Sequence, residues 1–180
     1  MQTNMKNYML GIVALLFVAT ILGNQKIDTK KSGVTFEIGN MKIKTVEGSF
    51  NGMKGDVNFN PDDLKNSSFE VTIDASSVDT GNEKRDTHLK NEDFFDVEKY
   101  PTIKFKSYAV VRSKKEGYHI AKGKLTIHGI TKDVKIPFTY KDNIFEGTLK
   151  VKRFDYNVGK DMNTMMVSNE AIVKITCITD

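Results

Sequence analysis

The sequence predicts an all-β domain, either a sandwich or a closed barrel, behind an N-terminal export signal. Three observations carry this. Apolar and polar residues alternate along run after run. Turn-forming clusters separate the runs at short spacing. A single charged, helix-compatible segment, Lys84 to Pro101, interrupts the pattern and ends in Phe94-Phe95 and a Tyr100-Pro101 break.

In chain order, Lys6 is the only charge before an almost wholly apolar run from Tyr8 to Leu22. About fifteen residues suit a secretory h-region better than the roughly twenty a membrane span needs. Residues 1–23 are therefore expected to be a signal peptide, with cleavage near Gly23-Asn24 and an uncleaved anchor as the alternative. No cysteine follows the run, which argues against a lipid-modified cysteine. Residues 24–180 then form one domain, long enough to bury a core.

Alternation starts at Val34-Phe36-Ile38 and returns at Val46-Gly48-Phe50, Val57-Phe59 and Phe69-Val71-Ile73. After the charged segment it resumes at Ile103 to Val111, Leu125-Ile127, Val134 to Tyr140, Phe145 to Val151 and Ala171 to Cys177. Asn51-Gly52, Asn60 to Asp63, Glu116-Gly117, His128-Gly129 and Lys141 to Asn143 supply the turns. This gives eight or nine strands. Strand phase points Phe36, Ile38, Phe50, Val57, Phe59, Phe69, Val71, Ile73, Phe105, Leu125, Ile127, Phe138, Leu149, Val173 and Ile175 inward. These side chains could fill a solid core or line a ligand tunnel, since both need the same face. Gly48, Gly123 and Gly147 fall among them and mark bends or close approaches, which suits a curving barrel.

Composition excludes several function classes. A net charge of +4 with lysines scattered among acids describes a solvated strand face and carries no nucleic-acid signature. The single cysteine, Cys177, rules out an internal disulfide framework. His88, His119 and His128 have no partner at metal-ligand spacing, and no nucleophile, phosphate-loop or dinucleotide motif is present. Asp62-Asp63 and Glu92-Asp93 sit where carboxylates cap and solvate. The chain reads as a non-enzyme without cofactor or metal.

Two blocks of sequence are specific. Ser77-Val78-Asp79-Thr80 leads into Lys84 to Lys90, Asp93-Phe94-Phe95-Asp96 and Lys99-Tyr100-Pro101, and Gly123 to Lys132 reads GKLTIHGITK. Both closely resemble the YceI-like family. Weaker matches lie at Val34 to Phe36, Gly48 to Phe50 and Arg153 to Gly159, so the resemblance runs from about Ile27 to Ile178. It implies an antiparallel, eight-stranded lipocalin-like β-barrel with one short helical segment between strands, in exported bacterial proteins. Such a barrel holds an isoprenoid or related amphiphilic lipid of quinone or polyprenyl type, as carrier or reservoir. Two positions depart from the family pattern: Asn40 stands where many members carry histidine, and the link after Tyr140 is short.

The inward residues thereby become candidate ligand contacts, each as apt to be core packing, and Phe94 and Phe95 join them as a plug between segment and barrel. Arg85, Asp86 and His88 form a polar cluster. It could sit at the mouth near a ligand head group. The reading adopted is an Arg-Asp pair that pins the helix. The expected partners are a long-chain lipid and a transient membrane surface, with the oligomeric state left open and a homodimer as one candidate, in a periplasmic or secreted location. A lipid-modifying enzyme and a filled-barrel interaction module are the alternatives.

Overall fold

The computed structural model describes residues 24–40 and 44–180. The expected signal segment lies outside them. Among the described residues no helix is long and apolar enough to cross a membrane.

The strands are β1 (Gln25–Lys26), β2 (Gly33–Asn40), β3 (Lys44–Phe50), β4 (Lys54–Asn58), β5 (Ser68–Asp74), β6 (Thr102–Arg112), β7 (Tyr118–Ile127), β8 (Ile130–Lys141), β9 (Ile144–Lys152) and β10 (Val167–Ile178). The one α-helix, α1 (Glu83–Lys90), lies between β5 and β6, where the charged segment predicts it. The Asn82 side chain caps it by accepting from Arg85 N at 3.0 Å. All strands join one antiparallel sheet in the order β1-β4-β5-β6-β7-β8-β9-β10-β2-β3.

The count is ten strands, not eight. Nine of them correspond to the nine alternating runs, and the tenth, β1, is two residues long and too short to show alternation. β7 also begins well before the Leu125-Ile127 run, because Ala121 and Gly123 on its inward face are too small to read as a hydrophobic pattern. The sheet curls into a barrel-like shell whose seam is not a continuous ladder. Isolated bridges Ile27↔Thr179 and Ser49↔Asp79 hold it.

Tight hairpins follow from residue chemistry. His128-Gly129 and Asp142-Asn143 all take positive φ, as two-residue connections between twisted strands require. The outer face carries cross-strand ion pairs such as Lys106–Glu70 and Lys150–Glu170, all solvated and individually worth little. At one end of the shell the two ends of the domain meet: Lys26 N donates to Asp180 Oδ1 at 2.8 Å, and Asp180 N donates to Lys26 O at 3.1 Å.

Two glycines keep the interior open. A Cβ on Gly48 would lie 2.4 Å from the Phe36 ring, its register partner on β2, and one on Gly123 would lie 2.6 Å from the Phe105 ring of β6. Each ring therefore lies flat along the wall over a missing side chain, where a larger neighbour would push it inward.

Candidate ligand-binding site

A cavity of about 480 Å³ runs through the interior of the shell. Every strand from β2 to β10 except β4 contributes to its wall, and α1 with the segment after it covers one side. Phe36, Ile38, Phe50, Val71, Ile73, Phe94, Phe95, Phe105, Leu125, Ile127, Phe138, Leu149, Val173 and Ile175 all line it. Of the lining side chains, His88 and Met166 are the exposed ones, so they mark the mouth.

Phe59 does not reach the cavity. It sits at the far end, 97% buried, inside a cluster of rings: Tyr140, His119, Phe145 and Phe138 stand 5.0, 5.2, 5.3 and 5.5 Å from it. Strand phase finds the inward face but not the depth along the barrel, and at this depth the interior is solid. Val57, fully buried and paired across the sheet with Gln25 of β1, is likewise core.

His119 belongs to that plug, stacked on Phe138 at 5.5 Å, and its Nδ1 is buried without a hydrogen-bond partner. Burial, with nearby Arg112 adding to it, pushes its pKa below the ordinary imidazole value of 6.5. An unfolded chain therefore takes up this proton first as pH falls. Stability is full above that value and declines on acidification until the folded form also protonates. His119→Phe is expected to flatten the fall in melting temperature between pH 7 and pH 5 relative to wild type. Parallel melting curves across that range would contradict it.

The helical segment is held differently from the expected Arg-Asp pair. Arg85 and Asp86 converge on Thr80 instead of on each other. Arg85 Nε donates to Thr80 Oγ1 at 2.7 Å and Nη2 to Thr80 O at 2.8 Å, while Asp86 Oδ1 accepts from Thr80 N at 3.0 Å and from its hydroxyl. The cluster fixes the start of α1. Arg85, Thr80 and His88 face the cavity, and Asp86 does not. Phe94 packs against His88 within the segment at 4.9 Å, and Phe95 meets Phe50 of β3 edge-on at 5.2 Å, a contact between segment and shell.

The sequence gives little warning of the other wall. Arg153, Tyr156, Val158 and Met162, between β9 and β10, also line the cavity. Arg153 is 94% buried and forms no ion pair among the described residues. Its five donors all reach carbonyls: Nε to Ser168 at 3.0 Å, Nη1 to Val158 at 3.2 Å and to Gly159, Nη2 to Met162 at 2.7 Å and to Val167 at 3.0 Å. One guanidinium thus ties down the whole crossing from β9 to β10. In RFDYNVG an arginine two residues before an aspartate reads as a surface residue, and only its place in a family-like block singles it out.

Titration at the wall is suppressed. Burial, then Asp155, pushes the Tyr156 phenol up to about 12, and burial pushes the Cys177 thiol up to about 11. Both stay neutral at physiological pH. The result is an apolar slot with a small polar rim on one side.

A sequence model of the YceI-like domain matches residues 25–178. The chain belongs to the YceI-like family. A UPF0312 protein of Vibrio cholerae is 30% identical over 162 residues, covering 82% of this chain and 85% of that protein. Among solved structures, the YceI-like fold seen here matches Burkholderia cenocepacia BcnA with a TM-score of 0.80 at 29% identity, over 86% of this chain and 99% of that one. A polyisoprenoid binding domain from Saccharophagus degradans matches with a TM-score of 0.65 over 87% of this chain and 97% of that one. At 14% identity this last likeness speaks to the fold alone.

Proposed function

We propose that this YceI-like protein is an exported carrier or reservoir that holds the chain of an isoprenoid or similar amphiphilic lipid, of quinone or polyprenyl type, in its interior. The observation that carries this reading is the 480 Å³ slot, walled by aliphatic and aromatic side chains and open at one mouth. Its size falls within the roughly 300–1,000 Å³ typical of small-molecule sites. Each buried methylene contributes about 0.8 kcal/mol, so about fifteen carbons would yield roughly 12 kcal/mol gross. Losses of translational and chain entropy reduce that to affinities between about micromolar and nanomolar. Binding of this kind needs no polar chemistry beyond the rim, and the reading assigns the protein no catalysis. The N-terminal apolar run supports export, and a water-insoluble ligand implies that loading occurs at a membrane surface.

Native mass spectrometry of protein purified from its native host tests this. Retention of a lipid of defined mass is the expected result. Repeated recovery of empty protein would sink the proposal. Tryptophan at Phe105 or Ile127, both on the wall, is expected to block uptake while leaving a folded β-rich protein, checked by lipid titration and circular dichroism. Unchanged binding in both variants would move the ligand elsewhere.

A further inference from the structure

Three methionines cluster in the turn before β10: Met162, Met165 and Met166. Met162 and Met166 line the cavity, and Met166 is 47% exposed, so one methionine borders both the apolar slot and bulk water. Met165 beside it is 65% exposed. The turn is well fixed. Asn163 Oδ1 accepts from Met165 N at 2.8 Å, and Asn163 O accepts from Met166 N at 2.9 Å and Val167 N at 3.0 Å. Arg153 Nη2 holds the carbonyls of Met162 and Val167 on either side. Elsewhere on the wall, Met53 is only 2% exposed and shielded from aqueous oxidants.

Thioethers are readily oxidised, and exposure decides which ones react. A sulfoxide is polar and chiral where the thioether was apolar and flexible. At this position it would place an uncompensated dipole where an apolar chain enters and leaves. We infer that Met166, with Met165 beside it, is an oxidation site at which peroxide chemistry weakens the hold of the cavity on its ligand. The sulfur lone pair attacks the distal oxygen of a hydroperoxide, an S–O bond forms as the O–O bond breaks, and the proton on the attacked oxygen passes to the leaving oxygen, which departs as water or an alcohol. Sulfur is oxidised by two electrons and the peroxide reduced by two.

The inference rests on the apolar-chain reading above, and the experiment separates the two. The dissociation constant for geranylgeraniol is measured on the full folded domain, before and after hydrogen peroxide, with peptide mapping of each methionine. Oxygen is expected on Met165 and Met166 before Met53, with binding about tenfold weaker. Methionine sulfoxide reductase is expected to restore the original constant. A Met165→Leu/Met166→Leu variant, compared with its own untreated form, should show the same constant before and after peroxide. Oxidation of Met166 with no change in binding would overturn the inference, as would equal weakening in the leucine variant. Failure of the untreated protein to bind geranylgeraniol would instead remove the lipid-binding reading, and this inference with it.

Discussion

Replacing Arg153 with methionine is expected to lower the free energy of unfolding by about 3–5 kcal/mol, measured by urea denaturation. The side chain is buried and donates to five carbonyls across the segment joining β9 to β10. Methionine fills similar space but leaves those acceptors facing a dry wall. Burial depresses the Arg153 guanidinium pKa, and because an arginine keeps its charge at physiological pH, the five carbonyls are what offset the cost of burying it. Domains of this size are stable by roughly 5–15 kcal/mol, so the variant would be marginal. Arg153→Lys keeps the charge but offers fewer donors in a different geometry, and is expected to cost about 2 kcal/mol. A loss below about 1 kcal/mol for Arg153→Met would mean that water reaches the carbonyls.

The second large effect separates the two wall glycines. At Gly123 an added Cβ would approach the Lys106 carbonyl to 2.4 Å as well as the Phe105 ring, and backbone cannot step aside. Gly123→Ala is expected to destabilise the domain by about 3 kcal/mol, the upper end of ordinary overpacking. At Gly48 the close neighbours are side chains, the Phe36 ring and the Thr80 methyl. There the ring can swing into the cavity. Gly48→Ala is expected to cost about 1 kcal/mol of stability but to weaken lipid binding by about tenfold. Equal stability losses, or full binding by Gly48→Ala, would show that the rings do not set the bore.

Much of this architecture can be read from period-2 alternation, because one face of each strand meets an apolar interior. The same phase picks out the cavity wall, except at Val57 and at Phe59, where the interior has closed to a ring cluster. The strand count and the seam are less legible: β1 is too brief to show a pattern, and isolated bridges depend on distant residues such as Thr179 and Asp79. The Lys84 to Pro101 segment stands out because adjacent phenylalanines have no reason to occur in a solvated loop. How Arg85 and Asp86 are used does not follow from their adjacency, since Thr80, just upstream, takes both. Arg153 is harder still. A charged side chain spent wholly on backbone carbonyls has no partner residue whose identity could announce it.

The pairing of Lys26 with Asp180 has a consequence for attachment. β10 runs from Val167 beside the mouth to Ile178 at the opposite end, so both ends of the domain emerge on the side away from the opening. Anything fused, tethered or immobilised through either end therefore hangs from the base, and the entrance faces outward from its point of anchorage like a cup held by its foot.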